Sequence, residues 1–294
     1  MTAPPSNLLG PETLAPPTRR RIAAPRHPLV WIGGALVLLQ VAAALLAPWI
    51  APDDPLAQHV IRRMKPPGAA AWLGTDQFGR DVLSRILYGY RASLAASASA
   101  VLLALVVGGS LGVAAALRGG WLDRAGMRLM DILFAFPIIL LAIGIVAMLG
   151  PGATSTTLAI GVVYIPVFAR LLRGPALVVA GSQYVLGARA IGAGESRVLW
   201  RHVLPNLASV ILVQASLSLS TAILVEASLS FLGLGTQPPT PSLGRMLAEA
   251  RGYLLLSPWD SIFSGLAILL ASFGFNLLGD GLRDALDPRL RGSG

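Results

Sequence analysis

Residues 108–112 of this chain spell a pattern that is typical of serine hydrolases. They read Gly-Gly-Ser-Leu-Gly, which matches the G-x-S-x-G turn that presents a nucleophilic serine. Such a serine needs a base, yet the histidines at positions 27, 59 and 202 are all remote from Ser110 in the sequence. The pattern also lies in a long apolar run, where Gly108 and Gly112 form a GxxxG pair typical of packed membrane helices. We therefore interpret it as a helix-packing face.

The sequence gives little support to phosphate or metal chemistry in this chain. Its one lysine, Lys65, is followed by Pro66, whereas a Walker A motif needs Gly-Lys-Ser or Gly-Lys-Thr. There is no cysteine, and the histidines lack the spacing of a metal site. We therefore predict a chain that is not an enzyme and that binds no cofactor or metal. If ATP drives its function, another chain must hydrolyse the ATP.

An acid in an apolar run is the remaining chemical candidate. Glu226 lies among several serines, including Ser228, within a segment long enough to cross a membrane. Ionisable residues at membrane depth are rare and are functional candidates, so Glu226 and Ser228 could line a pathway or relay protons. The alternative, which we favour, is a structural hydrogen bond, because Glu226 lies near the outer end of its segment.

Composition places the whole chain in the membrane. Hydrophobic residues make up 54% and charged residues 13% of its 294 residues, whereas soluble domains have about 25% charged residues. The net charge of +9 comes almost entirely from arginine. These arginines cluster at the ends of apolar runs rather than on one soluble face, so we expect no nucleic-acid partner.

Six apolar runs are long enough to cross the bilayer, since about 20 helical residues span its hydrocarbon core. The sequence therefore predicts an all-α polytopic membrane protein, in which Pro137 and Pro166 can kink their helices. A signal peptide is the alternative for the first run, but its length and the lack of an A-x-A exit favour a membrane helix. The predicted spans are Leu29–Ala47, 92–117, 129–149, 157–173, 208–231 and 259–280.

The basic residues predict the orientation of these spans. Fifteen of them lie on the side that carries both termini, and eight lie on the other side. The positive-inside rule therefore predicts that both termini are cytoplasmic. Residues 1–28, rich in Pro and Thr, are expected to form a mobile cytoplasmic tail.

A loop and a short helix are expected between the first two spans. In residues 73–94, Val82, Ile86 and Tyr90 share one helical face, and Asp81 and Arg85 are spaced to pair on the other. This pattern predicts an interfacial amphipathic helix. The domain prediction is thus a first unit, 29–91, with the first span, an extracytoplasmic loop and this helix, followed by a core of 92–291.

A polar stretch, Tyr184 to Asn206, separates two of the spans. Val185, Ala188 and Ile191 have helical spacing, and Gly192 then breaks the helix. A second helical segment is expected from Glu195 to His202, and Pro205 is expected to close the stretch before the next apolar run begins. Two short helices joined by glycine and flanked by spans predict a protruding element that a partner can bind.

The spacing of this stretch resembles the EAA loop of permeases of ATP-binding-cassette (ABC) importers. That family pattern is Glu-Ala-Ala, three residues, Gly, nine residues, then Ile-x-Leu-Pro. Here Leu186 stands in place of the family's Glu, and His202 in place of Ile. The resemblance implies that loop 182–206 forms a coupling helix that docks into a cytoplasmic ATPase. The residues that would carry this coupling are Leu186, Gly187, Ala188, Arg189, Gly192, Leu204 and Pro205.

Four other segments, 73–94, 131–143, 223–247 and 278–291, resemble one permease branch. This is the second permease type of the dipeptide, oligopeptide and nickel branch, so the likeness covers most of the chain after about residue 29. It implies a type I importer fold in a bacterial-type inner membrane.

The partners that the resemblance implies are a second permease subunit in a heterodimer, two ATPase chains that bind ATP-Mg, and an extracytoplasmic solute-binding protein. Di- or oligopeptides are the leading substrates, with nickel chelates, glutathione-like peptides and oligosaccharides as alternatives. The competing function is an ion-coupled secondary transporter that uses Glu226. The sequence shows no clear inverted repeat to favour it.

Overall fold

The fold is a bundle of helices, seen in a computed structural model that describes residues 28–286. The tail predicted for residues 1–28 therefore lies, except for Pro28, outside the described residues. The longer helices are α1 (Pro28–Ile50), α2 (Val82–Arg118), α3 (Gly120–Phe134), α4 (Ile138–Leu149), α5 (Ala153–Ala180), α8 (Leu204–Phe231) and α10 (Trp259–Leu286). Short helices α6 (Gln183–Ala190), α7 (Glu195–Val198) and α9 (Leu243–Ala250) lie between them.

Five of the six predicted spans are formed by single long helices, and the third is broken. Residues 129–149 were expected to form one span, but α3 and α4 meet there at 94°. Pro137 lies at the break, where its missing N–H and fixed φ prevent the helix from continuing. Pro166, by contrast, lies inside the uninterrupted helix α5.

The centre of the bundle is the contact between α2 and α5. A Cβ atom on Gly108 would lie 2.3 Å from the carbonyl oxygen of Ile165, and one on Gly112 would lie 2.2 Å from that of Ala169. Glycine at both positions lets the two backbones touch. The G-x-S-x-G match is thus a helix-packing face, as expected.

The first and last described residues lie at the same end of the bundle. Helices α1 and α10 are antiparallel neighbours, and a Cβ on Gly281 would lie 2.6 Å from the backbone nitrogen of Val30. Pro28 and Leu286 are close to this contact along their helices. We call this end the tail end and the opposite end the far end.

Helices α5 and α8 form a hairpin that is fastened at the far end. The Gly152 N–H and the Thr156 hydroxyl both donate to the carbonyl oxygen of Leu234, at 3.0 and 3.1 Å. The other ends of these two helices are joined by the polar stretch 182–206. The polar stretch therefore forms the bend of the hairpin, at the tail end.

The predicted interfacial helix is not separate, because residues 82–118 form one helix of 37 residues. At 1.5 Å per residue this helix is about 55 Å long, which exceeds the hydrocarbon core of about 30 Å. The predicted pairing of Asp81 with Arg85 is wrong. Asp81 instead caps α2, accepting hydrogen bonds from the Ser84 backbone and hydroxyl, each at 2.7 Å.

Arg85 belongs instead to a ring of four largely buried charges at the far end. Arg80 contacts Asp76 at 2.6 Å and Glu249 at 3.0 Å. Arg85 contacts the same two carboxylates, at 3.5 and 3.1 Å. We call Asp76, Arg80, Arg85 and Glu249 the charge ring. Because Glu249 lies on α9, the ring fastens this short helix to α2 and to the loop before it.

Candidate functional site

The polar stretch protrudes as the bend between α5 and α8, and we call residues 182–206 the hairpin loop. It contains α6, a turn around Gly192, α7, and a π-helical turn at Leu199–Val203 that leads into α8. The glycine-separated pair of short helices that the sequence predicted is therefore present.

Gly192 redirects the chain between the two short helices. Its φ of +93° lies in the region that favours glycine. The Ala193 N–H donates to the Ala188 carbonyl at 2.9 Å, and the Gly192 N–H donates to the Arg189 carbonyl at 3.0 Å. This pair of bonds is a Schellman motif with glycine at its left-handed position. This backbone turn sets the direction in which the chain leaves α6 for α7.

Four apolar side chains anchor the hairpin loop to the bundle. Val185, Val198, Val203 and Leu207 are fully buried in a cluster formed with the tail-end parts of α2 and α5. Ile191, which the spacing placed beside Val185, is 89% exposed instead. The anchoring holds the loop in a defined orientation because buried apolar contacts come from both of its arms.

The second helical segment does not end at His202, and Pro205 does not separate the stretch from the next span. Helical structure runs without a break from Glu195 to Phe231. Pro205 has no N–H to donate to the carbonyl of Arg201, one turn earlier, and its ring would crowd that carbonyl in an α-helix. The chain accommodates this by widening Leu199–Val203 into a π-helical turn.

The outward surface of the hairpin loop combines apolar side chains with an ion pair. Tyr184, Leu186, Ile191 and Trp200 are all more than half exposed. Arg189 pairs with Glu195 at 3.1 Å, which links α6 to α7 across the turn. Exposed apolar groups rimmed by charges are typical of a protein-binding surface. Leu186, which replaces the family's Glu, adds an exposed apolar side chain to this surface.

The remaining predicted coupling residues lie in the same loop but not at one point. Gly187 is exposed and Ala188 half-buried on α6, whereas Leu204 and Pro205 begin α8. Three residues outside the predicted set bring the two arms together. The rings of Tyr184 and His202 lie 5.8 Å apart, and the Asn206 amide donates to the Tyr184 hydroxyl at 3.3 Å and to the His202 carbonyl at 2.6 Å. The sequence signal that could have indicated these three residues is the presence of polar side chains at both ends of the stretch.

Glu226 and Ser228 lie away from the hairpin loop, near the far end of α8. Glu226 is 1% exposed and accepts a hydrogen bond from the Ser230 hydroxyl at 2.7 Å. Ser93 of α2 interacts with the same carboxylate. Ser228 is half-buried and donates to the Leu224 carbonyl of its own helix at 2.7 Å. Glu226 therefore faces the interface between α2 and α8, whereas Ser228 does not lie in that interface.

Comparisons with known proteins agree with this architecture. Residues 108–292 match the family described as the binding-protein-dependent transport system inner membrane component. Residues 25–67 match the N-terminal TM domain of oligopeptide transport permease C.

Two relatives cover most of the chain. It is 48% identical to the glutathione transport system permease protein GsiD of Pectobacterium atrosepticum, over 88% of this chain and 86% of that protein. It is 39% identical to the dipeptide transport system permease protein DppC of Alkalihalophilus pseudofirmus, over 97% of each. These matches confirm the predicted branch of permeases and give no support to an ion-coupled secondary transporter.

A solved structure shares the fold. An inward-facing conformation of the MetNI methionine ABC transporter superposes with a TM-score of 0.56 at 18% identity, covering 69% of this chain and 97% of that chain. The predicted all-α fold of a type I ABC permease is confirmed. Such a membrane subunit is not catalytic, since ATP is hydrolysed by a partner. The chain therefore belongs to the family of binding-protein-dependent transport system inner membrane components, the permeases of ABC importers.

Proposed function

We propose that this permease carries di- or oligopeptides, or glutathione-like peptides, across the bacterial inner membrane. The support is the similarity to one permease named for glutathione and to another named for dipeptides. The passage is formed with a second, different permease subunit. Six spans on one chain are too few to enclose a peptide-sized path, so a heterodimer is physically reasonable.

The hairpin loop is proposed to be the element that docks into the ATPase. The observation that carries this assignment is the exposed apolar surface of Tyr184, Leu186 and Ile191 on a loop whose other face is buried in the bundle. An apolar surface that is held rigidly can transmit the movement of its partner. The loop also joins α5 to α8, so a displacement of the loop acts on two spans at once.

The tail end is proposed to face the cytoplasm, because it carries the first and last described residues and the hairpin loop, and because the positive-inside rule applied to the sequence predicts cytoplasmic termini. Two partner ATPase chains there bind ATP-Mg, and an extracytoplasmic solute-binding protein delivers the substrate at the far end. When ATP closes the ATPases, the hairpin loops move with them and the bundle switches access from one side to the other.

Within this scheme we assign Glu226 a structural role. We also propose that residues 29–91 form an N-terminal unit that precedes a permease core of residues 92–291. The support for Glu226 is its burial and its bond to Ser230. The support for the N-terminal unit is that separate family descriptions match residues 25–67 and 108–292. Helix α2 crosses the boundary at residue 91, so the two parts share a helix.

The decisive experiment is purification of the intact complex with its binding protein, followed by a screen of ligands for stimulated ATP hydrolysis. Di- and tripeptides, including glutathione, are expected to stimulate hydrolysis, whereas oligosaccharides and nickel chelates are not. Stimulation by one of the latter alone would overturn the substrate assignment. In vesicles, uptake should stop on ATP depletion and should persist when ion gradients are dissipated.

A further inference from the structure

A groove of about 580 Å³ opens at the tail end between α2, α5 and the start of α8. Apolar side chains, among them Leu105, Val113 and Ile211, line its depth. Charged groups occur at its mouth, where Arg118 ends α2 and Glu195 begins α7. The groove is thus apolar inside and polar at its opening, like a site for an amphiphile.

The groove follows α2 from the end of the helix into the depth of the membrane. Leu105 and Arg118 both line it, and at 1.5 Å per residue they are separated by about 20 Å along the helix. One leaflet contributes about half of a hydrocarbon core of roughly 30 Å. An occupant that reaches from Arg118 to Leu105 must therefore cross a whole leaflet.

The charges at the mouth leave a net positive surface. Glu195 is paired with Arg189 at 3.1 Å, so its charge is compensated within the hairpin loop. Arg118 makes no ion pair or side-chain hydrogen bond with any residue from 28 to 286. Arg197 and Arg201, on the adjoining surface beside Trp200, are likewise without an ion pair in this part of the chain.

We propose that this groove binds one anionic phospholipid, with an acyl chain along α2 and the phosphate at Arg118. The apolar depth suits a hydrocarbon chain and not a water-soluble ligand, and basic pockets between helices at the cytoplasmic surface are suited to anionic headgroups. Trp200, which is 69% exposed at the mouth, is the residue type found at headgroup level. The proposal rests on the proposed function only in placing the groove in the cytoplasmic leaflet.

The bound lipid would support the hairpin loop. Leu199 and Trp200 form part of the groove wall, and both belong to the π-helical turn that connects α7 to α8. An acyl chain in the groove would pack against these two side chains and would add to the buried contacts of Val198 and Val203 that hold the turn.

The test measures the lipid retained by the full-length protein, extracted with its partner subunits from membranes containing phosphatidylglycerol and phosphatidylethanolamine. Native mass spectrometry counts the phosphatidylglycerol molecules on each complex. Arg118→Gln is expected to lower retention about fivefold, the effect of one arginine at an anionic surface. Ala114→Trp, which keeps the arginine but fills the groove, should lower it as well. Arg124→Gln is the matched control, because Arg124 lies near the same end on α3 and outside the groove.

Equal retention in Arg118→Gln, Ala114→Trp and wild type would overturn the proposal. So would a cross-link from Ser110→Cys to the second permease, since a protein segment would then fill the groove. The readout is separate from that of the proposed function. Lipid retention reports on the groove alone, whereas failure of the ATPase to co-purify would count against the coupling role of the hairpin loop.

Discussion

Asp76 and Glu249, far apart in the sequence, bind the same two arginines. Arg80 and Arg85 each contact both carboxylates, and the four side chains are at most 15% exposed. Each arginine of the charge ring therefore has two carboxylate partners, and Glu249 also pairs with Arg245 at 3.0 Å. The loop before α2, the start of α2 and α9 must move together, because separating them would leave buried charges unpaired.

Glu249→Gln is expected to lower the stability of the protein by about 3 kcal/mol, since removing one partner of a buried ion pair leaves the other charge uncompensated. Thermal unfolding of the purified complex measures the effect. Glu195→Gln is the matched control, because its ion pair is at the surface and contributes less than about 1 kcal/mol. An unchanged melting temperature in Glu249→Gln would show that the ring does not fasten α9.

Gly192→Val is expected to leave the protein inserted in the membrane but to uncouple it from the ATPase. A side chain at φ +93° strains the backbone by about 1–2 kcal/mol, so the angle between α6 and α7 changes. A Cβ would meet no atom within 4 Å, so backbone strain rather than a clash is the cause. Co-purification of the ATPase and binding-protein-stimulated hydrolysis are the measurements.

Two neighbouring variants serve as controls for Gly192→Val. Gly194 has an extended φ of −68° and open space around it, so Gly194→Ala should behave as wild type. Asparagine tolerates the left-handed conformation, so Gly192→Asn should retain much of the coupling. Normal ATPase binding and hydrolysis in Gly192→Val would remove the hairpin loop from its proposed role.

Gly112→Val is expected to destabilise the bundle by about 3 kcal/mol, because its Cβ would lie 2.2 Å from the Ala169 carbonyl oxygen. Gly144→Val, in an open position on α4, is the matched control. The yield and thermal stability of the purified variants measure the difference. Ser110→Ala should transport normally, and a loss of transport with intact assembly would reopen the question of a reactive serine.

Glu226→Gln should leave ATP-driven transport largely intact. The amide keeps an oxygen that can accept the hydrogen bond from Ser230, and its shape preserves the packing between α2 and α8. Uptake by the complex in vesicles measures the effect. If transport vanished while the complex still assembled, the negative charge itself would be required.

Single cysteines can test the orientation of the bundle, because the chain contains no cysteine of its own. Gln237 and Ser196 are both exposed, at the far end and in the hairpin loop respectively. An impermeant thiol reagent should label Gln237→Cys in intact cells, and it should label Ser196→Cys only in inverted vesicles. The reverse pattern would invert the proposed topology.

The spans could be predicted from the sequence because the bilayer imposes one length and one polarity on each of them. Their ends and breaks could not. Pro137 lies at the break of its span, whereas Pro166 lies within an uninterrupted helix, so the presence of a proline does not by itself predict a break. Arg85 was assigned to a partner on its own helix, but its partners are Asp76, in the loop before the helix, and Glu249, from a distant part of the chain.

The parts of the hairpin loop that depend on backbone conformation could be predicted from the sequence, whereas the parts that depend on packing could not. Gly192 has the turn that its type indicates, because few other residues adopt this φ without strain. Ile191 and Pro205 were assigned from helical spacing and from propensity alone. The turn at Gly192 leaves Ile191 exposed, and the π-helical turn lets the helix continue through Pro205.

The bonds from Gly152 and Thr156 to Leu234 determine how force can travel through the α5–α8 hairpin. Because α5 and α8 are connected at both ends, they cannot separate from each other at one end. A force on the hairpin loop is therefore expected to tilt the two helices together. Ile165 and Ala169, which touch the glycines of α2, lie near the middle of α5. In the proposed mechanism this contact would act as the pivot, so an inward movement of the hairpin loop is expected to swing the far end outward.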